Sequence, residues 1–231
     1  MSRSVAAELL LLALDEKSGK GLVDGSTLNA ALAGTAVAEL AAAGALALQE
    51  VDGGEVKAGR LRRTGVARPS DPLLAEVVDT CHGKKPGDAV GALTTMTFTD
   101  RGAKLQEQLL AELVAEGVLT HERGKVLGLF PTQRWPEADP AVEREVRERV
   151  RAVLVLGAEP DPRTALLVSM LSVTKLAPKV FPGDDGKAVQ ARADAVRESG
   201  WAGGAVAKAL EDLMAVVMVT TLVPVVVATS S

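Results

Sequence analysis

The segment Ala38-Glu39-Leu40-x-Ala42-x-Gly44-x-Leu46 recurs as Ala111-Glu112-Leu113-x-Ala115-x-Gly117-x-Leu119. In both copies good helix formers run into a glycine and then into a short apolar stretch. A helix ending there needs a residue that takes a positive φ, which glycine does without steric cost. Each copy therefore predicts a helix, a stop and a β-hairpin. A pair of copies is too few for a solenoid. A helix followed by a hairpin is also the outline of a winged-helix module, so a nucleic-acid-binding alternative stands beside the main reading.

The rest of the chain is expected to be mostly helical. Hydrophobic residues make up 47% of the 231 residues, enough for a sizeable core, but there are only two Trp, three Phe and no Tyr. The core must then be assembled from Ala, Leu and Val. Small residues such as Ala31, Gly34, Ala38 and Ala42 let helices approach closely. This Ala/Val/Gly/Arg-rich usage resembles that of GC-rich bacterial genomes. No Gly/Ser/Pro-rich linker divides segments of different composition, so one domain over 1–231 is expected.

Along the chain, residues 5–14 read as a short buried helix interrupted only by Glu8, and 15–25 as a glycine-containing loop. Ser26 or Thr27 is the expected cap of a helix that runs to about Ala43. The turn signal Asp52-Gly53-Gly54 predicts a hairpin between 45–51 and 55–58. Helices are expected over 71–81, 99–116, 141–156, 163–177 and 187–198, with a loop at 83–87. The long helix carries an apolar stripe of Leu105, Leu109, Leu113 and Val114. A second hairpin is expected from 118–121 and 126–130, turning near Arg123-Gly124, followed by a loop over 131–140. Glu143/Arg147 and Glu145/Arg149 have the spacing of helix-surface ion pairs. The nearly continuous apolar run 213–228 reads as a buried C-terminal helix passing into a strand. It is shorter than the roughly 20 residues of a spanning helix, so a tail anchor is the lesser alternative.

The residues give little support to an enzyme. Cys81 and His82 are chain neighbours, whereas catalytic Cys/His pairs usually converge from separate segments. Cys81 is the only cysteine, so no intramolecular disulfide can form, which fits a reducing cytosol. The leucine run near the N-terminus is flanked by acids and reads as a folded element rather than a secretion signal. There is no phosphate-binding loop, nucleophile elbow or metal-ligand spacing, so no catalytic residue, metal or cofactor is assigned. The net charge of −4 gives a nucleic-acid partner no support.

Two features suggest binding. One is the basic run Lys57, Arg60, Arg62, Arg63 and Arg68, which serves either as a solvated strand or as a phosphate contact. The other is the apolar hairpin segment Val126-Leu127-Gly128-Leu129-Phe130 with Trp135 just beyond it. In a chain so poor in aromatics these residues either pack on the core or form an exposed apolar patch.

Several segments together resemble the Golgi phosphoprotein 3-like family. They are Glu8–Asp15 with its following glycine loop, Ala38-Glu39-Leu40-x-x-x-Gly44, Leu113-Val114-x-x-Gly117-Val118-Leu119, and Leu127-Gly128-Leu129-Phe130 with Pro136. Their order and spacing extend over nearly the whole chain. The resemblance implies a mainly α, single globular helical domain with a buried C-terminal helix and about two peripheral β-hairpins. It also implies a non-catalytic, peripheral membrane adaptor, cytoplasmic and located on the inner face of a membrane. Golgi members bind phosphatidylinositol 4-phosphate in a basic pocket beside the apolar hairpin, which aids membrane contact and self-association, and they bind glycosyltransferase tails.

The headgroup residues of Golgi members, a Trp and three Arg, align with Asp24, Ala33, Ala103 and Gln106 and do not carry over. Arg101, Lys104 and Arg134 are the nearby cations that could face an anionic phospholipid or phosphoinositide headgroup. Leu127, Leu129, Phe130 and Trp135 are the expected membrane or homo-oligomer contacts. A bacterial protein-interaction module without lipid binding is a further alternative.

Overall fold

The computed structural model describes residues 3–16, 18–52, 55–65, 69–94, 101–126 and 130–200, with the backbone alone for 101–104, 125–126 and 130–132. The expected C-terminal helix lies outside the described residues. The chain is mainly α: helices dominate, and among the described residues the strands form only two-stranded antiparallel sheets.

Helix α1 (Val5–Leu12) is buried on every side, as a helix apolar all round must be. It lies among α2 (Gly25–Ala42), α5 (Arg101–Ala115), α6 (Pro140–Leu154) and α7 (Pro162–Val173). Residues 164–173 of α7 are likewise enclosed. The exception in α1, Glu8, is only 5% exposed. Its carboxylate meets Arg149 of α6 at 2.6 Å and Arg163 of α7 at 3.1 Å. Arg149 is therefore not the surface partner of Glu145; the buried carboxylate of Glu8, which it shares with Arg163, takes it inward. The Glu143–Arg147 pair does form.

Five helix starts share one device. Asp24, Asp71, Asp139, Asp161 and Asp185 each accept backbone N–H groups at the starts of α2, α3 (Pro72–Cys81), α6, α7 and α9 (Gly186–Glu198). At α3, α6 and α7 the aspartate is followed by proline, which has no N–H to leave unpaired and is pre-set to a helical φ. Asp24 rather than Ser26 or Thr27 caps α2. The hydroxyls of Ser26 and Thr27 donate to it instead and, with the Thr27 N–H, hold its carboxyl well below the usual carboxylate range.

The sequence repeat becomes a structural one. Gly44 and Gly117 have φ of 73° and 74°. The Ala45 N–H donates to the Leu40 carbonyl and the Val118 N–H to the Leu113 carbonyl, both at 2.9 Å. The Gly44 and Gly117 N–H groups reach Ala41 and Val114, at 3.0 Å in each copy. This is the Schellman closure, with buried C3 and C″ side chains covering it.

Two hairpin expectations need correction. β1 (Leu46–Leu48) pairs with β2 (Leu61–Arg63), not with 55–58, and the register is Leu46↔Arg63 to Leu48↔Leu61. Leu61 is fully buried, and facing it inward fixes the register at the expense of the nearer partner. In the second sheet β3 (Glu122–Val126) pairs with β4 (Phe130–Arg134), so Arg123 and Gly124 lie in mid-strand and 131–134 are paired rather than looped. Pro131 is tolerated because each strand of a two-stranded sheet is an edge. Helix α4 (Pro86–Thr94) begins where a loop was expected. Gly87 and Gly91 hide its pattern, and its Ala89, Val90 and Leu93 are held by packing. Beyond α7, the four-residue α8 (Ala177–Val180) leads to α9.

Candidate functional site

The β3–β4 hairpin rises from a stem built by the end of α5 and the start of α6. The Thr120 N–H donates to the Pro136 carbonyl (2.8 Å), and the Ala138 N–H to Val118 (2.9 Å). Leu119 and Glu137 bridge between them. The α1–α2 loop adds a third side, where the Trp135 N–H donates to the Gly19 carbonyl at 3.0 Å. Gly19 has φ +60°, and a Cβ there would lie 2.4 Å from the backbone of Trp135 and Pro136. Only glycine allows this approach.

Trp135 sits at this root, half-buried against the core. Its ring stacks on His121 at 4.0 Å between centroids and 8° between planes. The other end of the His121 ring meets Gln133 Oε1 at 3.1 Å. A groove of about 390 Å³ runs between these residues and Glu107, Ala111, Val114 and Ala115 of α5. Arg134 is exposed in β4 opposite Glu122. Arg101 and Lys104 lie on the first turn of α5. Phe130 opens β4 opposite Val126. Leu127 and Leu129 belong to the connection between the strands and lie outside the described residues. Arg101 and Lys104, at the start of α5, and Phe130 and Arg134, in β4, thus belong to one helix–hairpin unit, and Trp135 belongs to the anchorage of its hairpin.

Below the stem is a charged cluster that pattern reading does not reveal. Arg147 of α6 meets Glu16 of the α1–α2 loop at 2.8 Å, and its Nε donates to Glu143 Oε1 at 2.9 Å. It also donates to the Val180 carbonyl and lies 5.9 Å from the centre of the Phe181 ring. Glu137 faces the same cluster. Burial, then the charge of Glu143 and a hydrogen bond with it, then Glu16, push its carboxyl up to about 7, while Arg147 pulls the other way. The Glu143/Arg147 spacing was the one available sequence signal; Glu16 and Glu137 come from other segments.

In the basic run one member is tied into the fold and Lys57 stands exposed. Arg60 donates to the Gly83 carbonyl (2.7 Å), Arg63 pairs with Asp79 (3.2 Å), and Arg62 lies in β2 opposite Ala47. Arg68 lies outside the described residues. Helix α2 is enclosed by α1, α3, α4, α5 and α7, so the first helix–hairpin unit offers no exposed recognition helix.

A sequence profile of the family described as Golgi phosphoprotein 3 (GPP34) matches residues 5–213. The chain belongs to this family. No curated protein matches it. The profile begins at the first residue of α1 and takes in both helix–hairpin units, including the stem and the cluster beneath it. For a Golgi phosphoprotein 3 family member, no helix among the described residues is long and apolar enough to cross a membrane.

Proposed function

We propose that this Golgi phosphoprotein 3 family member is a non-catalytic adaptor-like module whose β3–β4 hairpin contacts an anionic membrane surface. The observation that carries the reading is the hairpin itself. It is fastened to the body at its root by paired backbone and by the Gly19 approach, while its distal connection carries Leu127 and Leu129. Burying that apolar connection contributes about 25 cal/mol per Å². Arg101, Lys104 and Arg134 add roughly 1 kcal/mol each beside an anionic surface, weakened by salt. The Golgi headgroup residues are replaced by Asp24, Ala33, Ala103 and Gln106, so the attraction proposed is to surface charge in general. On this reading the protein works in the cytoplasm, peripheral on the inner face of a membrane. The buried side chains form one cluster from Val5 to Val196 across the described helices, in keeping with the single domain proposed.

A second reading is self-association through the hairpin. Among the described residues β3 and β4 pair only with each other, so each keeps an open edge, and a lone two-stranded ribbon is marginal in water. A second copy could complete it by strand addition.

Co-sedimentation with neutral and anionic vesicles, at low and physiological salt, tests the first reading. Binding is expected only to anionic vesicles, reduced by salt, by Arg134→Glu and by Leu129→Asp with Phe130→Asp. Equal binding by the hairpin variant removes the hairpin from the contact. Failure to bind any vesicle, with a concentration-dependent mass that the same variant abolishes, favours the second.

A further inference from the structure

A cleft of about 400 Å³ lies between the start of α1, the start of α3 and the length of α5. Its floor is apolar: Leu105, Leu109 and Leu113 of α5 line it with Leu73 of α3, and all of these are buried. Its rim is acidic, and the acids form a row along α5. Gln108 donates to Asp71 Oδ1 at 3.4 Å and to Glu112 Oε1 at 2.9 Å, and Glu116 follows on the next turn. One turn advances the helix by about 5.4 Å. Each acid commits one oxygen: Asp71 Oδ1 also caps α3, and Glu116 Oε2 accepts from Arg3 at 2.9 Å. Asp71 Oδ2, Glu112 Oε2 and Glu116 Oε1 take no donor among the described residues.

The cleft already holds a cation of its own chain. Arg3 precedes α1, and its carbonyl accepts from Arg163, which is itself bound to Glu8. That tether lays the Arg3 side chain over the rim to Glu116. Both partners are partly in water, so the pair is weak enough to exchange. Glu39, on the opposite wall, is spent on the fold: it accepts the Val5 N–H at 3.0 Å and lies in the field of Arg163. Among the described residues no three His, Cys, Asp or Glu side chains are grouped so that they could hold a metal ion. The carboxylates of the row are spaced for separate charges, not for a shared one.

We propose that this cleft binds a linear polyamine, its ammonium groups on Asp71, Glu112 and Glu116 and its methylenes on the leucine floor. Charge complementarity selects the occupant. Carboxylates a turn apart over an apolar trough match positive charges joined by short apolar spacers. A compact inorganic ion leaves the floor bare, and a neutral apolar molecule leaves the acids without donors. Each ammonium offers several N–H donors, and the uncommitted carboxylate oxygens accept them as charge-assisted bonds. Arg3 competes for Glu116, so the ligand must displace it and the observed affinity is lowered by the occupied fraction. No residue of the β3–β4 hairpin is part of this lining, and the proposal does not rest on the membrane reading.

The test is a nuclear magnetic resonance titration of the full chain with spermidine, putrescine and magnesium chloride at matched ionic strength, read at the Gln108 side-chain amide. Spermidine should saturate the signal at millimolar concentration or below and bind more tightly than putrescine, which has fewer ammonium groups. Magnesium should leave the signal in place. Glu112→Gln with Glu116→Gln should weaken spermidine by about fivefold or more, since each exposed pair is worth up to about fivefold. Glu145→Gln with Glu148→Gln removes as much charge from exposed positions of α6 and should leave the affinity unchanged. Arg3→Ala should tighten binding by up to about fivefold, because the competing guanidinium is gone. A signal that does not saturate with spermidine, magnesium that binds as well, equal weakening by the two glutamate pairs, or an Arg3→Ala variant that binds no more tightly overturns the site.

Discussion

At the scale of single residues, conformation and charge decide more than side-chain size. Lys175 ends α7 with φ +55°, the position that Gly44 and Gly117 fill at α2 and α5. Its N–H donates to Ser172 and the next to Leu171, so the closure is the same one with a poorer residue. Left-handed backbone costs a non-glycine roughly 1–2 kcal/mol, and glycine's extra chain entropy returns roughly 0.5–1. Lys175→Gly should therefore raise stability by about 0.5–1 kcal/mol in a denaturant titration, because the exposed ion pair with Asp194 at 3.7 Å contributes little. Gly19→Ala should act oppositely. Strain and the clash with Trp135 and Pro136 should cost about 2 kcal/mol or more and undo the hairpin root, visible as lost protection of the Trp135 amide. Glu8→Ala leaves Arg149 and Arg163 facing a void and should cost about 3 kcal/mol by thermal unfolding. A drop smaller than about 1 kcal/mol would mean that both guanidinium groups reach water.

Among elements, the repeated helix ends behave as equivalent parts. A Cβ at Gly44 or at Gly117 meets nothing within 4 Å, so only the backbone conformation opposes substitution. Gly44→Ala and Gly117→Ala should each cost about 1 kcal/mol and add in the double variant, since the sites share no partner. This equivalence was legible in the sequence, because a Schellman end is written in a handful of adjacent residues. Helix starts were legible for the same reason wherever Asp-Pro opened them. The strands were not. Leu61 chose its partner by burial rather than by the nearest turn signal, and Gly124 looked like a turn although it occupies the middle of β3. α4 escaped because its glycines suppress a pattern that packing against its neighbours restores. The hairpin segment was marked both by its own residues and by the family resemblance, whereas Arg101, Lys104 and Arg134 were named only as nearby cations, because the family's headgroup residues do not carry over. The cluster of Glu16, Glu137, Glu143 and Arg147 could not, since three segments must converge before it exists.

For the whole molecule, these groups set a pH profile. Glu137 and Glu39 have raised carboxyl pKa values, each chiefly through burial. The folded state then binds more protons than the unfolded one, so stability is greatest in mild acid and falls as pH rises, for Glu137 through about 7. Asp24, whose carboxyl is held low by hydroxyl and backbone donors, acts in the opposite sense, and its contribution disappears only as pH falls below the ordinary aspartate range. Stability should therefore peak in mildly acidic solution and decline on the alkaline side. Thermal midpoints measured from about pH 4 to about pH 9 should show a decline above neutrality that Glu137→Gln flattens. A profile level between pH 6 and 8 would contradict the assignment.

The burial of α1 on all sides has a consequence for how the protein is made. The helix leaves the ribosome well before α5, α6 and α7, which help to enclose it and follow about a hundred to a hundred and seventy residues later. At roughly 5–20 residues per second, a bare leucine-rich segment waits on the order of ten seconds or more for its cover. That interval is long enough for capture by a nascent-chain chaperone, so the yield of folded protein should depend on such a factor more than the final stability suggests.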